Sequence, residues 1–233
     1  MNRDILLVEG KSDQELFRYL LSKHPELQHI ELSPPKPLGF DGDGIDGLLK
    51  ALPNLLKFKE FGGNLAVVLD ADYASTNKGF HKRRTQILEI IGAFGYDISG
   101  AMPDKGVGEL FSHPDLTPFG LWIMPDHSSE GMVETLLAQA IQHPARLELF
   151  QYITNTANDL LKVEQLKEIC FKATHKDKTL FNTWLFWQKQ PSECKSDSIS
   201  IIECALQQGW IDCNHLLLKN LVFWLANAFN RTS

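Results

Sequence analysis

The chain has 233 residues, is 43% hydrophobic and 22% charged, and carries a formal net charge of -6. That composition is of a soluble globular protein with room for one large domain, or for a core and an appendage. It excludes the broad basic footprint of a constitutive duplex binder, and leaves any nucleic-acid contact to a local basic strip and a metal.

No signal peptide opens the chain and no apolar run reaches about 18 residues, which predicts the cytoplasm and no membrane insertion. Arg3 to Val8 is apolar and continuous, the pattern of a buried parallel strand. Glu9 stands at its end and Gly10 breaks it. Ser12-Asp13-Gln14-Glu15 has capping-box spacing and predicts a helix from Ser12, with Leu16, Phe17, Leu20 and Leu21 toward the sheet. Asp13 then falls in the first helical turn, close to Glu9, where the helix dipole favours both carboxylates. His29 to Leu32 is a short strand. The prolines that follow predict a loop, and Phe40-Asp41-Gly42-Asp43-Gly44 a turn, since the later ligands of a calcium loop are missing. Ile45 to Phe58 reads as an amphipathic helix that Pro53 kinks or splits.

The central strand is Asn64 to Leu69, and Val67-Val68-Leu69-Asp70-Ala71-Asp72 closes it with two acids spaced i and i+2. In an extended chain such residues point to one side. Open α/β sheets bind ligands at those strand ends. His81, Lys82, Arg83 and Arg84 then open a helix to about Phe94, and read either as a phosphate-holding cluster or as a solvated face. A short strand is expected within Val107 to Phe111, and a buried one over Phe119 to Met124, ending at Pro125-Asp126. A helix from about Glu130 to Ile141 follows, on which Glu130 and Glu134 share a face. Strand and helix in alternation predict a three-layer α/β domain with a mainly parallel sheet over residues 1–143.

From Pro144 the pattern is helical. Leu147 to Leu161, Val163 to Phe171, Thr179 to Lys189, Ile199 to Gln208 and Asn214 to Phe229 are the expected helices. Without a Gly/Ser-rich linker at Pro144, residues 144–233 are expected to pack on the first domain as a helical extension. Its lysines, Lys176 and Lys178 among them, read as solvated. Cys170, Cys194, Cys204 and Cys213 form no Cys-x-x-Cys and read as reduced residues rather than a zinc site.

Converging carboxylates repel unless a cation joins them, and all-oxygen donors suit magnesium or manganese. Such a site activates water and stabilises a phosphoryl transition state. The chain has no Gly-x-x-x-x-Gly-Lys loop, no Gly-x-Ser-x-Gly elbow and no His-Glu-x-x-His. Asp126 follows a buried strand and is a candidate ligand of a second ion, with Glu134 ahead of Glu130, or else a helix cap.

Val8-Glu9-Gly10-Lys11-Ser12-Asp13 and Leu69-Asp70-Ala71-Asp72 resemble the two signatures of the Toprim fold, found in topoisomerases, bacterial primases, ribosomal-RNA maturation nucleases and the OLD (overcoming lysogenization defect) nucleases. The resemblance implies magnesium at the strand ends, with Glu9 as acid/base or ligand and Asp70 and Asp72 as ligands. Asp13 matches an extra acid of the OLD-type proteins. Gly120-Leu121-Trp122-Ile123-Met124-Pro125-Asp126 and Gly131-Met132-Val133-Glu134 resemble a small prokaryotic family of the Toprim group, as do Trp184 to Pro191 and Phe223-Trp224-Leu225. The expected activity is divalent-metal-dependent phosphodiester hydrolysis on nucleic acid, through Glu9, Asp70, Asp72 and Lys11. Lys11 is either a phosphate contact or an exposed loop lysine. The alternatives are a non-catalytic regulatory or nucleic-acid-binding module working with a separately encoded ATPase, and a phosphatase with Asp70 as nucleophile.

Overall fold

The computed structural model describes residues 3–39, 42, 44–58, 63–166, 170–189, 194 and 199–230. Five strands form one sheet in the order β2-β1-β3-β5-β4, where β1 is Ile5–Val8, β2 Glu31–Ser33, β3 Leu65–Asp70, β4 Glu109–Phe111 and β5 Phe119–Met124. β1 pairs parallel with β2 and β3, and β3 with β5, in a register that sets Val8 beside Val68 and Asp70 beside Met124. Only β4, at the edge, runs antiparallel. The continuous apolar runs of β1, β3 and β5 are buried on both faces, which is why they do not alternate with polar residues.

The sheet's two faces follow the period of two. Leu7, Val67, Leu69, Leu121 and Ile123 pack against α2 (Gly44–Phe58) and α3 (Phe80–Ala93). Leu6, Val8, Ala66, Val68, Trp122 and Met124 face α1 (Lys11–Lys23), α4 (Val133–Gln139) and the later helices. The result is a helix–sheet–helix sandwich. α2 continues through Pro53. The acid-rich turn expected around Phe40, Asp41 and Asp43 lies outside the described residues, as does Gly62.

α5 (Pro144–Leu160), α6 (Lys176–Trp187), α7 (Ile201–Gln207) and α8 (Leu216–Ala228) share the core of α1 and α4. Trp224 of α8 donates Nε1 to the Glu109 carbonyl at 3.2 Å, and its ring lies 5.7 Å from that of Trp122. β5 carries Gly120 at that contact because a Cβ there would stand 2.9 Å from the Ala66 Cβ and 3.1 Å from the Ala228 Cβ. Ile141 bridges Ile211, and Asp212 N–H donates to the Ala140 carbonyl at 2.7 Å, so the segments before α5 and after α7 are joined side by side. The helix expected over Val163 to Phe171 is a short 3-10 turn at Glu164–Leu166, with residues 167–169 outside the described set.

The four cysteines are not all reduced. Cys194 and Cys204 form a disulfide with Cα atoms 5.5 Å apart, while Cys170 and Cys213 are free thiols. The pairing joins Cys194, seven residues ahead of α7, to that helix's buried face, a tertiary proximity that the spacing alone does not reveal. Among the described residues no helix is long and apolar enough to cross a membrane.

Candidate metal and phosphate site

At the carboxyl ends of β1 and β3 four acids converge, each held by a different element. Glu9 directly follows β1, and its Oε2 accepts the Asp70 N–H at 3.1 Å. α1 starts at Lys11, one residue ahead of the expected Ser12, with Gly10 as its cap. Asp13 Oδ2 accepts the Gly10 N–H at 2.9 Å, so Asp13 rather than Ser12 closes the cap. The Ser12 hydroxyl is thereby free for Glu134, donating to its Oε1 at 2.9 Å. Asp70 Oδ1 accepts the Val133 N–H at 3.0 Å, at the start of α4. Asp13 and Glu134 are each 2% exposed.

Burial pushes the Asp13 carboxyl well above its ordinary value, and the charges of Glu9 and Glu134 push it further. Asp70 is pushed well up by burial and then by Asp13, Glu9 and Glu134. Glu9 is raised by burial, partly offset by the Asp70 N–H, with Asp72 adding repulsion. Asp13 Oδ1 is buried without a hydrogen-bond partner. Burying a polar oxygen unpaired costs free energy, so this atom marks a place for a donor or a cation.

Asp72 behaves differently. β3 ends at Asp70, and Asp72 has φ of 59° with its backbone paired to Gly131, so the extended i, i+2 geometry does not reach it. Aspartate tolerates that left-handed conformation better than most residues. Its Oδ2 takes Arg83 Nη2 at 2.6 Å and Lys78 Nζ at 3.2 Å. The Asp72–Gly131 pairing ties the turn before α4 to the end of β3, and so helps to set the Val133 N–H on Asp70.

Five expected participants, Asp126, Lys82, Arg83, Arg84 and Glu130, are engaged elsewhere. Asp126 Oδ1 accepts from Ser128 and Ser129, and its Oδ2 from Ser129 Oγ and Lys105 Nζ, both at 2.9 Å. Burial alone would raise Asp126, but these donors outweigh it and hold the carboxyl below its ordinary value. Arg84 forks onto Glu109, which also accepts from His127 Nε2 at 2.9 Å. Lys82 Nζ donates to the Asn77 carbonyl at 2.8 Å. With Arg83 buried on Asp72, the Lys82–Arg84 cluster serves the scaffold and does not line the cavity at the four acids. α4 begins only at Val133, so Glu130 shares no helical face with Glu134; its Oε1 instead accepts the Ala74 N–H at 3.0 Å.

That cavity, about 1130 Å³, contains Glu9, Asp13, Asp70, Asp72 and Glu134 in its lining, with Lys11, Lys36 and Lys78. Lys11 is an exposed side chain, 3.7 Å from Glu15. The lining also includes Thr174 and His175, in the 3-10 turn that precedes α6, and Lys178, Thr179 and Asn182 of α6 itself. Of these only Lys178 carries a sequence reading, that of a solvated lysine, and the sequence signal for the rest is a polar cluster, Thr174-His175-Lys176-Asp177-Lys178-Thr179, near a helix start.

A family model described as "Protein of unknown function (DUF3226)" matches residues 3–230. No curated protein and no solved structure matches the chain.

Proposed function

The chain belongs to the DUF3226 family, and we propose that it is a Toprim-type, divalent-metal-dependent phosphodiesterase acting on nucleic acid. The observation that carries this reading is the orphaned, buried Oδ1 of Asp13 among mutually repelling carboxylates at the strand ends. The donor set is hard oxygen only and fits magnesium or manganese. Among the described residues no three His, Cys, Asp or Glu side chains stand ready-made around one ion position. The Gly10, Ser12, Asp70 and Val133 donors hold the acids apart, so binding requires small side-chain rotations toward the cavity. Glu9, Asp13, Asp70 and Glu134 are the residues to hold the ion, which when bound supplies an activated water and neutralises charge on the phosphoryl group. Lys11 and Lys78 reach the cavity as phosphate contacts. Asp72, held by Arg83, is a positioning residue for the turn that carries the Val133 N–H.

The spread of the acids also favours a second reading, a nucleic-acid-binding or regulatory module working with a separately encoded ATPase. A phosphatase that uses Asp72 as proton donor is disfavoured by the two cations on that carboxylate.

The test is cleavage of single- and double-stranded DNA and RNA with manganese or magnesium. The wild type should cleave at least one substrate, EDTA should stop it, and Asp70→Asn should lower the rate by a factor of roughly a hundred or more. Cleavage that survives EDTA or the substitution ends the proposal. Metal-independent binding with no cleavage under any condition establishes the module, and a phosphorylated Asp70 trapped on the chain establishes the phosphatase.

A further inference from the structure

We infer that the opening turns of α6 form a phosphate-binding wall, through which Lys178, with Thr174, His175, Thr179 and Asn182, grips the nucleic-acid backbone beside the phosphate at the four acids. This rests on the nucleic-acid reading above and gives the C-terminal region a direct share in the substrate site.

The wall is built as a unit. Positions 175, 178, 179 and 182 recur at helical spacing and so lie on one face of α6, toward the cavity. The face behind them is fixed: Phe181, Trp184 and Leu185 are each 0% exposed, and Trp184 Nε1 donates to the Arg146 carbonyl at 3.0 Å. Asp177, the one acid in the first turn, is turned aside, with its Oδ2 accepting from Thr135 Oγ1 at 2.6 Å. The face presented to the cavity is therefore basic and hydroxylic. Among the described residues Lys178 forms no ion pair. A polyanion brought to four carboxylates is repelled unless cations also line the cavity, and Lys178, from α6, and Lys36, from the turn after β2, are among its lining residues.

The lining also specifies what is gripped. Among its described residues only Tyr73 and His175 carry aromatic rings, and the Tyr73 hydroxyl is hydrogen-bonded to Asp177. Single-strand binders that hold bases stack them on several aromatics. This cavity offers amines, hydroxyls and amides, so its contacts go to phosphates, which position a strand without reading it. Its volume of about 1130 Å³ also exceeds the ~300–1,000 Å³ typical of small-ligand sites.

The experiment measures affinity of labelled single-stranded DNA and RNA oligonucleotides at several salt concentrations, in EDTA, so that no cleavage occurs. Lys178→Ala should weaken binding and reduce the slope of log affinity against log salt by about 0.7, one phosphate contact on a single strand. Lys178→Arg should restore the slope, and Lys162→Ala, an exposed lysine paired with Asp159 away from the cavity, should leave it unchanged. The loss should be equal across base sequences, and the two probes show which sugar backbone is preferred. An unchanged slope in Lys178→Ala, with the wild type still bound, overturns the wall and leaves the phosphodiesterase reading intact. The expected slope change without metal-dependent cleavage does the reverse. A wild type that binds neither probe overturns the wall, and the phosphodiesterase reading then stands or falls on the cleavage assay with metal.

Discussion

Glu9 Oε2 accepts the backbone N–H of Asp70 at 3.1 Å, so the acid that closes β1 is tethered to the main chain, not the side chain, of the acid that closes β3. Glu9→Gln keeps an oxygen for that N–H and removes only charge, whereas Glu9→Ala leaves the donor unpaired. We expect Glu9→Gln to fold like the wild type yet lose metal-dependent cleavage. Glu9→Ala should in addition cost about 1–3 kcal/mol in urea unfolding. Equal stability of the two variants would show that the tether contributes nothing.

Without metal, the acid cluster makes stability fall as pH rises. The folded carboxyls of Asp13, Asp70 and Glu9 are raised above their unfolded values, so above the ordinary carboxylate range the folded chain holds protons that the unfolded chain has released. Glu109 and Asp126 are lowered and stay ionised in both states there, adding no slope. Thermal melts in EDTA should show a higher Tm at pH 5 than at pH 7.5, and manganese should remove the difference. Asp13→Asn, which removes the repelled charge, should raise the Tm of the metal-free protein at pH 7.5 and leave it nearly unchanged at pH 5.

Arg83 is 4% exposed and its Nη2 lies 2.6 Å from Asp72 Oδ2. Arg83→Met leaves Asp72 with Lys78 as its remaining cation among the described residues. Because breaking a buried pair leaves one charge uncompensated, the cost should be about 3 kcal/mol. The double substitution Arg83→Met/Asp72→Asn should recover much of it. An additive double mutant would mean that the two residues are not coupled.

Glu109 is held below its ordinary value by His127 and Arg84 against the opposing effect of burial. A lowered folded carboxyl adds stability that is present above the unfolded value and lost as pH falls through the folded one. His127 Nδ1 accepts the Ile123 N–H at 3.0 Å, which leaves Nε2 to donate to Glu109. Glu109→Gln should cost about 2 kcal/mol at pH 7, and the gap from wild type should narrow as pH drops below 4.5, the ordinary glutamate value. A gap independent of pH would place the loss in packing rather than in charge.

The apolar runs of β1, β3 and β5 are legible because a strand buried on both faces leaves a continuous apolar record. Glu9 and Asp70 are legible for the same reason: an acid that ends such a run sits at a sheet edge. The direction of β4 is not, since Glu109–Phe111 is too short to carry a period. Nor is the fate of Asp72, because the turn that follows Asp70 is fixed by pairing with Gly131, far along the chain. Ser12 has the spacing of a cap, yet its hydroxyl serves Glu134, a tertiary choice that local spacing cannot express. Lys178 and His175 look like any polar helix face, and only packing shows that the face borders a cavity. The pairing of Cys194 with Cys204 depends on the same kind of proximity.

The clasp between Ala140–Ile141 and Ile211–Asp212 gives the region between them the topology of an excursion on a stem. The chain leaves the sheet layer at the clasp, carries α5, α6 and α7, and returns to where it left. Closing a long loop costs only slowly more as it lengthens. A change of length between α5 and α6 should therefore leave the anchorage undisturbed. A change at positions 140–142 or 210–212 should not, because they fix both ends of the excursion that bears Lys178.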